Sequence, residues 1–204
     1  MAFATRTRRP PRTLTDDEVA RLLRITGEHR DGFRDHMIFS LALGCALRES
    51  EIVGLDVGDV TNNGRTPKRT LQLRVFKRGA GVVDTAAQRV PLPDGTYYKL
   101  EKYLRWRAPL GLELGLPLFA SRQSERLSDR RMRSMFRGWQ VEAGFANPYH
   151  FHALRHTSLT NLYRRTRDIH LVSRFARHAS IATTQIYAHV SDEEILQAAK
   201  GLAS

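Results

Sequence analysis

Cysteine occurs once in the chain, at position 45, inside an apolar run. A lone thiol forms no internal disulfide, so nothing argues for secretion. Cys45 reads as a buried structural group rather than a nucleophile. Long hydrophobic runs are missing as well. None approaches the roughly 20 residues that a membrane-spanning helix needs. The first residues are basic (Arg6, Arg8, Arg9), but the apolar segment of a signal peptide does not follow them. The expected location is cytoplasmic. Acidic residues are in short supply: 21 Asp and Glu stand against 33 Lys and Arg, a net charge of +12. Such a surplus favours a polyanionic partner, nucleic acid first, over the alternative of a basic protein with no such ligand. No glycine-rich phosphate loop and no paired-carboxylate site is present, so no cofactor is expected. His150, His152 and His156 lie close in sequence but lack thiol or acidic companions, which argues against zinc.

What is present suits a single domain. The chain has 204 residues, 41% of them hydrophobic, enough for one packed core. Residues 1–13 carry Pro10 and Pro11 among arginines and read as a basic flexible arm. Thr15 and Glu18 form a capping box for a first helix, with Asp16 and Asp17 in its first turn and Gly27 at its end. A second helix is expected from Asp31 to Leu43, broken by Gly44, and a third from Glu49 to Leu55, with Arg48 at its start. Asp56–Lys68, rich in Asp, Asn and Gly, reads as loop. TLQLRVF (Thr70–Phe76) alternates as a strand. Lys77 to Gly81 forms a basic turn, and a returning strand covers Gln88–Leu92. Further helices are expected at Thr96–Trp106 and from Ser128 to about Ala143; the second bears an arginine cluster (Arg130, Arg131, Arg133). Arg48 alone reads as a surface residue or a partner for Glu51, and Lys77 alone as a solvated turn lysine. The fold class is α+β, predominantly α-helical, with a small antiparallel hairpin.

The most informative stretch is His152–Val190. His152 and Arg155 are three apart, so on a helix they share a face. Leu154, Leu159, Leu162 and Tyr163 keep the spacing of an inward stripe. Arg164–Asp168 is polar and reads as a turn. Short helices follow at Ile169–Ala176 and Ser180–Tyr187, and Ser191 with Glu194 caps a last one. Helix ends arranged this way can gather His152, Arg155, His178 and Tyr187. A guanidinium binds phosphate oxygens bidentately, an imidazole donates further hydrogen bonds, and a phenol is a candidate nucleophile.

With these residues in place the sequence resembles the catalytic domain of the tyrosine recombinases, the phage integrase family, from about Thr15 to Val190. The family pattern is an arginine in a TGLRxSE-like segment, a hairpin lysine, an HxxR pair, a later His or Trp, and a tyrosine about nine residues on. Here these fall on Arg48 in CALRESE, Lys77 in FKRG, His152 and Arg155 in HALRH, His178 in ARHASIATT, and Tyr187 in TTQIYAHV. Cys45 and Ala46 stand where Thr-Gly is usual, Arg177 where a glycine commonly precedes the histidine, and Val57 where tryptophan is common. The resemblance implies an integrase-like catalytic domain over residues 14–190. It also implies cleavage and rejoining of double-stranded DNA through a 3′-phosphotyrosine intermediate. Arg48 and Arg155 would clamp the phosphate, Lys77 would act as general acid, and His178 would add a hydrogen bond. His152 would orient the site or accept the proton of the nucleophile Tyr187. It further implies a tetramer on two duplexes, with residues 191–204 either exchanged between protomers or folded back on their own chain. The short lead before the first helix fits either a single-domain member, such as a fimbrial-switch invertase, or part of a longer protein. Two other readings stand beside the recombinase. One is a non-catalytic DNA-binding or regulatory protein that keeps the fold. The other is a relaxing topoisomerase of the tyrosine type.

Overall fold

The computed structural model describes residues 11–30, 32–73, 88–121, 123 and 125–188. The basic arm up to position 10, Lys77 with its turn, and residues 189–204, including the expected final helix, lie outside the described residues. The chain divides into two compact units, Arg12–Ser158 and a smaller one of Met1–Pro11 with Leu159–Ser204.

In the larger unit, α1 (Asp16–Glu28) starts as the capping box requires. Thr15 Oγ accepts from the Glu18 amide at 3.2 Å, and the Thr15 amide donates to the Glu18 carboxylate at 2.9 Å. Gly27 does not end this helix. It lies one residue inside it, where an added Cβ would meet the His36 ring at 3.3 Å. The next helix, α2 (Phe33–Cys45), buries Asp35, Met37 to Ala42 and Cys45. A helix apolar on nearly every side belongs at the centre of a unit, and α2 packs against α1, α3 and α5. Its one acidic residue, Asp35, is satisfied in the core by Trp139 Nε1 at 2.8 Å and Arg34 Nε at 2.9 Å. Gly44, expected to break α2, is helical. A Cβ there would sit 2.2 Å from Thr96 Oγ1, so glycine is needed for close packing against the helix that carries Thr96 rather than for termination.

α3 (Glu49–Gly54) follows a left-handed residue, Ala46. The expected loop at 56–68 contains one helical turn, α4 (Val57–Val60), whose Asp56 and Asp59 form a second capping box. The Asp56 amide donates to Asp59 Oδ2 at 2.8 Å. Beyond it the loop is held locally: Asn63 Oδ1 accepts from the Arg65 and Thr66 amides at 3.0 and 2.8 Å. β1 (Thr70–Leu73) and β2 (Gln88–Pro91) pair antiparallel, Leu71 opposite Val90 and Gln72 opposite Arg89. Leu71, Leu73 and Val90 are buried, while Gln72 and Arg89 face out, the two-residue alternation of a one-faced sheet. α5 (Asp94–Arg107) contributes Leu100, Tyr103 and Leu104 to the core and leaves Trp106 partly in solvent, one face stacked on Tyr103. Ser128 caps α6 (Asp129–Glu142), accepting from the Arg131 amide at 3.2 Å. Phe136 on α6 packs edge-on against Phe39 and Phe151, with centroids 5.3 and 5.5 Å away.

The boundary between the units falls within α7 (His152–Thr166). Arg164 and Arg165 extend this helix instead of turning. Exposed arginines in a last turn complement the negative end of a helix dipole, and the chain reverses only at Arg167, with φ 53°. In the smaller unit, Asp168 caps α8 (Ile169–Ala176) through the His170 and Leu171 amides at 2.8 and 3.0 Å. Two single-turn 3-10 helices, Ile181–Thr183 and Gln185–Tyr187, follow where one short helix was expected. No helix among the described residues is long and apolar enough to cross a membrane.

Candidate functional site

α2 ends at Ala46, whose backbone is left-handed at φ 48°, ψ 38°. An L-residue resists that conformation and a glycine does not. The turn offers the Ala46 carbonyl to Arg155, whose Nη1 donates to it. Arg155 lies in the first turn of α7 and is only 2% exposed. A guanidinium so enclosed keeps its charge and is held in one orientation.

Two residues beyond Ala46, Arg48 is the N-cap of α3 and is extended at φ −76°, ψ 157°. Both its ends bind one carboxylate. The Arg48 amide donates to Glu51 Oε2 at 2.7 Å, and Nη1 donates to Oε1 at 2.6 Å. Glu51 is buried and the Arg48 side chain half-buried. Of the two readings the sequence left open for Arg48, surface residue or partner of Glu51, the pairing is present, with Glu51 bracing the arginine that the family pattern singles out.

His152, at the head of α7, belongs to the same group. Desolvation lowers its pKa, although the residue retains an exposed surface. The charges of Arg155 and Arg48 lower it further, and Glu51 acts in the opposite sense. The imidazole is thus biased toward its neutral form, able to accept a proton at one nitrogen and donate at the other. His156, one turn on, stacks edge-on against it at 4.6 Å. Arg48, about a hundred residues earlier in the sequence, is thus an electrostatic neighbour of His152 within the larger unit, as is Arg155.

The smaller unit holds the second group. α8 ends at Arg177, left-handed at φ 55°, ψ 45°. The two positions where the sequence departs from the family's glycines, 46 and 177, are therefore both left-handed, each close before a candidate site residue. The amide of His178 donates to the Ser173 carbonyl at 3.1 Å. Its Nδ1 lies 2.8 Å from Thr184 Oγ1. The rings of His178 and Tyr187 are stacked, 6.4 Å between centroids and 15° from parallel. Tyr187 is buried and Thr184 completely so. Lys77 lies outside the described residues. On α6, Arg130, Arg131, Arg133 and Arg137 are exposed, and Arg133 is paired with Glu49 at 2.5 Å.

Sequence reasoning did not find Thr184. Its only signal was its place three residues before the tyrosine, where a single turn brings i and i+3 together. Nor did it find the Ala46 carbonyl, since a backbone acceptor leaves no mark in residue types.

The family model described as "Phage integrase family" matches residues 12–194. Tyrosine recombinase XerC of Vibrio parahaemolyticus is 30% identical over 196 residues, covering 96% of this chain and 60% of its own length. XerC of Escherichia coli O6:K15:H31 is 29% identical over 185 residues, 91% of this chain and 58% of that protein. This chain thus spans about 60% of the length of the relatives it matches. Among solved structures, the XerA recombinase superposes with a TM-score of 0.74 at 25% identity, over 97% of this chain and 67% of that one. XerH bound to its difH substrate gives the same TM-score of 0.74 at 21% identity, covering 100% and 58%, which speaks to the fold. The helical frame with its small hairpin is that of an integrase-like recombinase catalytic domain, and the chain belongs to the phage integrase family, the tyrosine recombinases.

Proposed function

We propose that this chain is the strand-cutting and rejoining part of a site-specific DNA recombinase, with chemistry of the type IB topoisomerase kind. The reading rests on one observation above all: Arg48, braced by Glu51, and the buried Arg155 share an electrostatic neighbourhood with His152. Two guanidiniums held in place before substrate arrives suit the non-bridging oxygens of a phosphodiester, where negative charge grows in the transition state.

In the proposed step, the phenol oxygen of Tyr187 attacks phosphorus as its proton passes to a base, for which His152 is the candidate. The bond from phosphorus to the 5′-oxygen breaks. Lys77 protonates that leaving oxygen, and His178 donates a hydrogen bond to the phosphate. The strand is left as a 3′-phosphotyrosine, so the energy of the broken bond is kept and the reverse attack by a 5′-hydroxyl reseals it. Neither ATP nor a metal enters this scheme. The partner is double-stranded DNA, in keeping with the net charge of +12. The assembly is a tetramer on two sites, acting in the cytoplasm. XerH in complex with difH and the Tn1549 transposon integrase in complex with transposon right end DNA support this choice of partner.

Burial of Tyr187 favours a second reading, a DNA-binding protein that does not cleave. Nicked suicide duplexes spanning the DNA repeats that flank the gene separate the two. The recombinase reading expects a covalent protein–DNA adduct that Tyr187→Phe abolishes while DNA binding persists. Binding without an adduct in the unaltered protein overturns it. Recombinant product, rather than relaxation alone, distinguishes a recombinase from a relaxing topoisomerase.

A further inference from the structure

We propose that Thr184 is a positioning residue for His178, fixing which nitrogen of that imidazole is offered to the phosphate. The proposal rests on the functional reading above. Thr184 is completely buried, whereas its neighbour Thr183 is exposed. A buried hydroxyl needs a hydrogen-bond partner, and this one has the His178 ring, with Oγ1 at 2.8 Å from Nδ1. When Thr184 donates, Nδ1 is the acceptor and the neutral ring carries its proton on Nε2. That is the tautomer that leaves an N–H for a phosphate oxygen.

The same residue also anchors the nucleophile's segment. The Thr184 amide donates to the Ile181 carbonyl at 2.8 Å, and its own carbonyl accepts from the Tyr187 amide at 3.0 Å. Thr184 therefore grips His178 by its side chain and Tyr187 by its backbone, and the two rings are held 15° from parallel. A side chain that merely filled space would need no hydroxyl. Valine matches threonine in shape and lacks only that group, which makes the role testable.

Two measurements test it. In nitrogen-15 spectra of histidine-labelled protein at about pH 8, where imidazoles are neutral, the His178 resonances are assigned by their loss in His178→Gln. Nδ1 in the unaltered protein and in Thr184→Ser should carry the shift of a hydrogen-bonded acceptor, and in Thr184→Val that of an unbonded one. A proton on Nδ1 in the unaltered protein, or an identical Nδ1 shift in all three, overturns the proposal. If Thr184→Val fails to fold, Thr184→Ala takes its place, and the unaltered protein compared with free imidazole decides the Nδ1 question alone. In the nicked-duplex assay, Thr184→Val should lose about tenfold or more in cleavage rate, by analogy with removing the outer hydrogen-bond partner of a metal-bound imidazole. Thr184→Ser should stay near the unaltered rate, with DNA binding unchanged in both. Equal loss in Ser and Val overturns the hydroxyl's role. Absence of any adduct from the unaltered protein overturns the recombinase reading instead, and the nitrogen shifts still answer for Thr184.

Discussion

Ala46 and Arg177 are L-residues held in left-handed backbone, at φ 48° and φ 55°. The conformation costs a non-glycine residue roughly 1–2 kcal/mol. At Ala46 the cost is borne where the turn presents a carbonyl to Arg155. Ala46→Gly should therefore raise stability by about 1 kcal/mol, after allowing for the extra freedom glycine gains when unfolded. A urea titration reading the shift in midpoint at constant slope checks this. Arg177→Gly should gain less, because the arginine also donates to the Phe175 carbonyl at 3.0 Å. The sequence marked both positions as departures from the family pattern, and the family pattern supplied a reason for glycine there. It did not supply the left-handed angles, nor the pairing of His178 with Thr184. That contact depends on how the turn at Ile181–Thr183 carries the chain back to the end of α8, and residue spacing does not fix such geometry.

Helix starts were easier to read than helix ends. Thr15, Ser128 and Asp168 each act as a cap through a side chain whose chemistry is local, so the sequence carried the signal. Glycine is read as a breaker because of its backbone freedom, and at Gly27 and Gly44 the residue serves tertiary packing instead. Only the partner helix reveals this: α5 brings Thr96 to within 2.2 Å of where a Gly44 Cβ would lie. Gly44→Val should accordingly destabilise the larger unit by about 1–3 kcal/mol through overpacking. The loss should be partly recovered in a Gly44→Val, Thr96→Gly double variant. Thermal unfolding of the two singles and the double measures the coupling, and purely additive effects would contradict the close approach. The one-turn α4 escaped sequence analysis because four residues give no period to detect, although its Asp56–Asp59 capping box was in plain view.

At the scale of the whole molecule, stability should depend on pH through a half-buried imidazole in the larger unit. Burial lowers the pKa of His36, the charge of Lys99 lowers it further, and a hydrogen bond to the Leu23 carbonyl acts in the opposite sense. That carbonyl is 2.9 Å from Nδ1, and Thr26 Oγ1 lies at 3.2 Å. With the folded pKa below the ordinary 6.5, the unfolded chain binds more protons in the interval between the two values. Stability is then complete above about pH 6.5 and falls as pH drops through the folded value. His152 contributes with the same sign, less strongly because its surface is exposed. Denaturant midpoints measured from neutral to mildly acidic pH should decline, and His36→Gln should flatten that decline. An unchanged slope in the variant would assign the effect elsewhere. The burial that produces this dependence was not legible in the sequence, where His36 is simply one polar residue in an apolar helix.

The carboxylate that Asp35 hides beneath Trp139 has a practical use. Of the chain's two tryptophans, Trp139 is 8% exposed with its indole N–H bound to that carboxylate, and Trp106 is 43% exposed. The pair gives the protein a built-in optical gauge. Aqueous iodide quenches the emission of the outer indole, and the inner one then reports by its colour whether α2 and α6 are still packed together.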